Sequence, residues 1–178
     1  KKIPKIFVEG YGNQVGDFSE LRSYLISKLL WNPYINFDAT KKDFIYSYYG
    51  PAAPDINKYL ELLEKNVLEY GSTVDIWADN SINKDDFLND KNIQQYKIIF
   101  NSALKKVKKN EIYYNRVLKE YLSIKYAEIV LAKKDKIRME KLGGKEVVDI
   151  EIEEIIRLAK KLGVEYFSYG HKKPEEIR

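Results

Sequence analysis

The chain has no cysteine, which excludes disulfides, thiolate metal sites and thiol nucleophiles, and leaves the compartment undetermined. Its one histidine, His171, is followed by Lys172, Lys173 and Pro174 near the C-terminus. A single imidazole without neighbouring ligands at zinc spacing makes no typical zinc site, so His171 reads as a solvated tail residue. No stretch reaches the roughly 18 consecutive apolar residues that a bilayer span requires. Gly10 and Gly12 lack a third glycine at dinucleotide-binding spacing, which removes a phosphate loop. Net charge is also small, because 31 Lys+Arg face 27 Asp+Glu to leave +4. The lysines alternate with Glu and Asp along helical stretches, as on a solvated surface. The densest basic run, Lys105, Lys106, Lys108 and Lys109, lies near a helix end, suits the helix dipole and has no interleaved aromatics. No metal, cofactor, nucleic-acid partner or membrane span is therefore expected.

Aromatics are abundant instead: 15 Tyr and 7 Phe, with 2 Trp. Tyrosine offers apolar area together with a hydroxyl that needs a partner or water. That suits both helix-packing seams and sugar-binding surfaces, and composition does not separate the two.

Periodicity outlines a helical chain. Asp17 and Glu20 form a start signal, and Phe18, Leu21, Leu25 and Leu29 recur at helical spacing until Asn32-Pro33 ends the run. Asp38 is the expected cap of a second helix carrying Phe44, Ile45 and Tyr48 and closed by Gly50. Pro54 fits the first turn of a third helix, striped by Ile56, Tyr59, Leu60, Leu63 and Val67 and stopped by Gly71. Residues 71–90 read as a polar connector with Trp77 as an apolar pin. A fourth helix carries Ile93, Tyr96, Phe100, Ala103 and Val107, and Asn110 restarts a fifth to about residue 134, with Val117, Tyr121 and Ile124 on one face. Gly143-Gly144 breaks the chain before a last helix with Ile152, Ile155, Ile156, Ala159 and Leu162, ended by Gly163. Residues 164–169 read as a short strand or an extended tail. Upstream of all this, Ile6, Phe7 and Val8 make a short apolar run leading into Glu9-Gly10-Tyr11-Gly12, which with the next helix forms half of a βα unit. A lone strand leaves its ladder groups unpaired, so the chain is expected to be the tail of something larger, with any secretion signal further upstream. The expected class is mainly α, a helical array with one N-terminal strand-helix element.

Two motifs carry a family resemblance. Leu29-Leu30-Trp31-Asn32-Pro33 closes one helix, and Tyr48-Tyr49-Gly50-Pro51-Ala52-Ala53-Pro54 opens another. Together with their surroundings, strongly over residues 6–70 and more weakly to Ala159, Leu162, Gly163 and Val164, they resemble a bacterial domain of unknown function. That domain occurs in carbohydrate-active proteins that pair a hexosaminidase- or α-glucuronidase-like (β/α)8 barrel with a helical C-terminal region. The resemblance implies that residues 1–33 are the last strand, loop and helix of a barrel and 34–178 a helical domain. It implies a carbohydrate partner, an upstream barrel domain in the same polypeptide, and a secreted, periplasmic or cell-surface setting. Barrel enzymes carry their chemistry at the C-terminal ends of strands. Glu9, Tyr11, Asn13 and Gln14 would then face the sugar, with Glu9 holding hydroxyls rather than donating a proton.

Each candidate also has a plainer reading. Glu9 reads equally as an exposed loop acid. Asp17 and Glu20 read as cap and first-turn residues, so no catalytic carboxylate pair is completed within the chain. Trp31 reads as a sugar-stacking platform or, from its place at the end of an apolar helix, as core. Of Tyr48 and Tyr49, one is expected to pack and the other to reach a backbone carbonyl. A helical interaction module with tyrosine-rich grooves is the alternative to the barrel-tail reading. In the full-length protein, Glu9→Gln is expected to weaken glycan binding more than it slows turnover, and calorimetry with unchanged glycan affinity would contradict the role implied for Glu9.

Overall fold

The computed structural model describes residues 18–71, 87–167 and 173–178. The expected strand at residues 6–8, the loop residues Glu9, Tyr11, Asn13 and Gln14, the start signal Asp17, and the residues Trp77 and His171 lie outside the described residues. Among the described residues there are seven α-helices, two short 3-10 turns and no strand, so the mainly α helical array holds.

α1 (Ser19–Trp31) ends where Asn32, placed before Pro33, is forced into an extended conformation (φ −143°, ψ 103°). Asn32 Oδ1 then accepts from the Tyr34 amide at 3.0 Å and turns the chain. α2 (Phe37–Tyr49) starts at Asn36, whose Oδ1 accepts from the Ala39 amide at 2.9 Å. The cap is therefore Asn36 and not Asp38. The Asn-Pro turn is short enough that the helix begins two residues earlier, which leaves Asp38 in the first turn, where its charge suits the dipole.

Gly50 closes α2 with φ 53° and passes through a 3-10 turn, Gly50–Ala52, into α3 (Ala53–Tyr70), which has Pro54 in its first turn. Asn89 and Asn110 cap α4 (Asp90–Val107) and α5 (Glu111–Lys134) through side-chain acceptors at 2.9 and 3.1 Å. Asp135 then caps α6 (Lys136–Lys141), a helix without a buried residue. α6 has no apolar stripe, so its sequence carried no periodic signal. α7 (Lys145–Lys161) follows Gly144. Beyond it Val164 and Phe167 are buried on an extended tail, and a C-terminal turn, Pro174–Ile177, packs on α7.

α5 is the central helix, in contact with α2, α4, α6 and α7. A row of rings crosses the array into it: Phe18 against Tyr59 at 5.8 Å, Tyr59 against Phe100 at 4.7 Å, and Phe100 stacked on Tyr121 at 5.1 Å. Four segments of the chain thus share one aromatic seam, with Tyr96 set edge-on to Tyr59 at 5.3 Å. The buried Tyr96 phenol is satisfied on both sides, since it donates to the Phe87 carbonyl at 3.0 Å and accepts from Asn66 Nδ2 at 2.8 Å.

Gly50 is required twice over. Its φ is positive, and a Cβ there would stand 2.6 Å from the Tyr113 ring. Gly50→Ala is expected to destabilise the fold by roughly 1–3 kcal/mol, read from urea midpoints.

Candidate functional site

The groups with chemical potential gather where α1, α2 and α5 meet. Glu120 occupies a core-facing position of α5, three residues after Val117 and four before Ile124, and is 5% exposed. A carboxylate at such depth is stable only when its oxygens are supplied with donors. The Tyr49 hydroxyl donates to Oε1 at 2.9 Å and the Phe18 amide donates to Oε2 at 3.1 Å. Burial first, then the neighbouring Glu120 charge, pushes the Tyr49 phenol far above its ordinary ionisation range. Tyr49 is thus the packed member of its pair, but its hydroxyl reaches a carboxylate and not a backbone carbonyl.

Tyr48 is placed differently, in a surface stack. It is half-buried and stacked on Phe44 at 4.9 Å, with the Arg116 guanidinium 4.1 Å above its ring. Arg116 Nη1 also donates to the Tyr48 carbonyl at 2.8 Å. Tyr24 continues the stack beyond Phe44 at 4.9 Å. This half-buried ladder of rings and one guanidinium joins α1, α2 and α5. Burial and the Glu20 charge raise the Tyr48 pKa, against the lowering effect of Arg116.

Glu20, in the first turn of α1, is gripped by Lys119 Nζ at 2.6 Å. Burial tends to raise its pKa. The Lys119 bond and charge, a backbone amide and the Ser19 hydroxyl together outweigh that and lower it. These contacts fit its first-turn structural reading. Glu20 and Glu120 are each satisfied by protein donors, which suits packing and not proton transfer. Among the described residues no group of three or more His, Cys, Asp and Glu side chains is placed to hold a metal ion.

Trp31 is 90% exposed, so the core reading of this residue is wrong. It follows Leu25 by six residues, which at 100° per residue sets it about 240° around the helix. The core face is drawn instead by Leu21 and Leu25, with Leu29 half-buried. Tyr34, in the turn after Pro33, is 91% exposed, and Ile26, Leu30 and Phe37 are exposed as well. α1 is therefore apolar on two faces and covered on one. Of the five sugar-site candidates the structure describes Trp31 alone, since Glu9, Tyr11, Asn13 and Gln14 lie outside the described residues. Tyr34 and Glu120 were missed. For Glu120 the signal was present, an acid in phase with an apolar stripe. For Tyr34 it was the turn, which leaves an aromatic ring beside Trp31 in the sequence with no helix phase to hide it.

Residues 1–61 of the 178 match a family described as a domain of unknown function (DUF4838). The match falls on the segment that carries the two resemblance motifs. No curated protein and no solved structure matches the chain.

The lowered pKa of Glu20 sets a pH dependence. A carboxylate with a folded pKa below its ordinary 4.5 contributes stability that is complete above that value. The contribution is lost as pH falls through the folded pKa. Urea midpoints are expected to drop between about pH 5 and about pH 3. Glu20→Gln is expected to cost about 0.5–1 kcal/mol at neutral pH and to make that drop shallower.

Proposed function

We propose that this chain is the C-terminal helical region of a glycoside-hydrolase-like, carbohydrate-active protein, with a supporting and not a catalytic task. In this reading residues 1–33 close a barrel that precedes them and residues 34–178 brace it from the side. Glu9, Tyr11 and Asn13 belong to the strand-end loop at the sugar, and the reacting acids come from earlier strands. The observation that carries the reading is the second apolar face of α1. Ile26, Leu30 and Trp31 are exposed on a helix whose core side is drawn by Leu21 and Leu25. A helix apolar on both sides is at home between two bodies, here the array and the preceding domain.

A second reading has one observation in its favour: Trp31 and Tyr34 are the most exposed large aromatics among the described residues. Exposed rings at one corner suit a helical module that stacks on a glycan or grips a protein. In that case the same residues stay open to the ligand, and Trp31 is substrate-binding.

Tryptophan emission distinguishes the two. In a Trp77→Phe background Trp31 is the one tryptophan of residues 1–178, and in the full-length polypeptide its emission is the difference from the same protein carrying Trp31→Phe as well. The barrel-bracing reading expects blue-shifted emission in the full-length polypeptide and solvent-like emission from residues 1–178 by themselves. Solvent-like emission in both, with a shift on adding oligosaccharide, would replace it with the module reading. Trp31→Ala combined with Tyr34→Ala is expected to leave the stability of the isolated chain within about 0.5 kcal/mol, since neither ring is packed.

A further inference from the structure

The N-terminal end of α1, at Phe18, is unusual in two independent respects. Phe18 is the one non-glycine residue with positive φ among the described residues, at 53°. Its side chain is buried against Tyr49 and Tyr59, at 6.0 and 5.8 Å between ring centres, so the strained backbone is held from one side by packing. From the other side its amide is held by Glu120, 102 positions later in the chain. α1 has no side-chain cap of its own at this end. Glu120 supplies the missing acceptor, and its negative charge stands where the helix dipole favours an anion. The adjacent Lys119 takes the Glu20 carboxylate in the same first turn. Two consecutive residues of α5 thus grip one turn of α1.

The rest of α1 is held lightly. Beyond Phe18, its buried apolar side chains are Leu21 and Leu25, and the helix it packs on is chiefly α2. We propose that Glu120 and Lys119 form a latch that decides whether α1 is docked. With the latch closed, α1 lies on the array. With it open, α1 leaves as a unit while α2–α7 keep their packing, and it carries the Ile26, Leu30 and Trp31 face with it. The costs of the two states oppose each other. Opening gives up ring burial and the gripping hydrogen bonds, but it relaxes a left-handed phenylalanine and returns a buried carboxylate to water. The latch does not depend on a carbohydrate role for the protein.

Hydrogen exchange followed by mass spectrometry tests the latch. Glu120→Gln keeps the shape of the side chain, but its amide accepts through one oxygen only, so Tyr49 or Phe18 loses its acceptor. The amides of residues 22–31 are expected to exchange at least about tenfold faster, while those in α4 and α5 change by less than about twofold. Unchanged exchange in α1, or equal acceleration in α1, α4 and α5, would overturn the proposal. If Glu120→Gln fails to fold, the unaltered protein in rising sub-denaturing urea decides. The latch expects α1 to open at lower urea than α4 and α5, and simultaneous opening of all three sinks it.

Discussion

Two of the phenols that this fold buries deepest, Tyr49 and Tyr96, hand their protons to acceptors that tie helices together. Tyr49 on α2 donates to Glu120 on α5, and Tyr96 on α4 donates to the Phe87 carbonyl while accepting from Asn66 on α3. A leucine in any of these places would contribute similar apolar area but no preference for one partner over another. Because the rings also stack from Phe18 through Tyr59 and Phe100 to Tyr121, apolar burial and polar matching act on the same side chains. The array is specified by where hydroxyls can be satisfied as much as by where grease is hidden.

That arrangement explains the division of labour among the tyrosines. Those deep in the seam serve packing, and the half-buried ladder of Tyr24, Phe44, Tyr48 and Arg116 joins three helices at the surface. Neither group is left over for a ligand. Among the described residues the most exposed rings are Trp31, at the end of α1, and Tyr34, in the turn that follows. Composition alone could not have drawn this line, since a tyrosine is the same residue in all three settings.

Six of the seven helices were legible in the sequence, because apolar residues at three- and four-residue spacing report which side of a helix meets a core. The caps Asn110 and the stops Gly50 and Gly71 were legible for the same local reason. What escaped notice depends on the register between distant elements. The start of α2 moved to Asn36 because the Asn32-Pro33 turn is tighter than its residue types reveal. α6 has too few residues to show a period. Trp31 was misjudged by counting its neighbours rather than its angle about the axis. Glu120 could be suspected from its phase among Val117, Tyr121 and Ile124, but nothing local pointed to Phe18 as its donor. The strand-end residues to which the resemblance gives a sugar role lie outside the described residues, so the sequence remains their whole support.

One consequence follows from the setting of Tyr49. Alkali strong enough to ionise solvent-facing tyrosines leaves this ring protonated, since its anion would have to form in a dry pocket beside an existing negative charge. Its phenolate absorbance therefore stays silent for as long as the corner between α1, α2 and α5 is closed. The protein carries an internal optical gauge of that corner, one that needs no added dye.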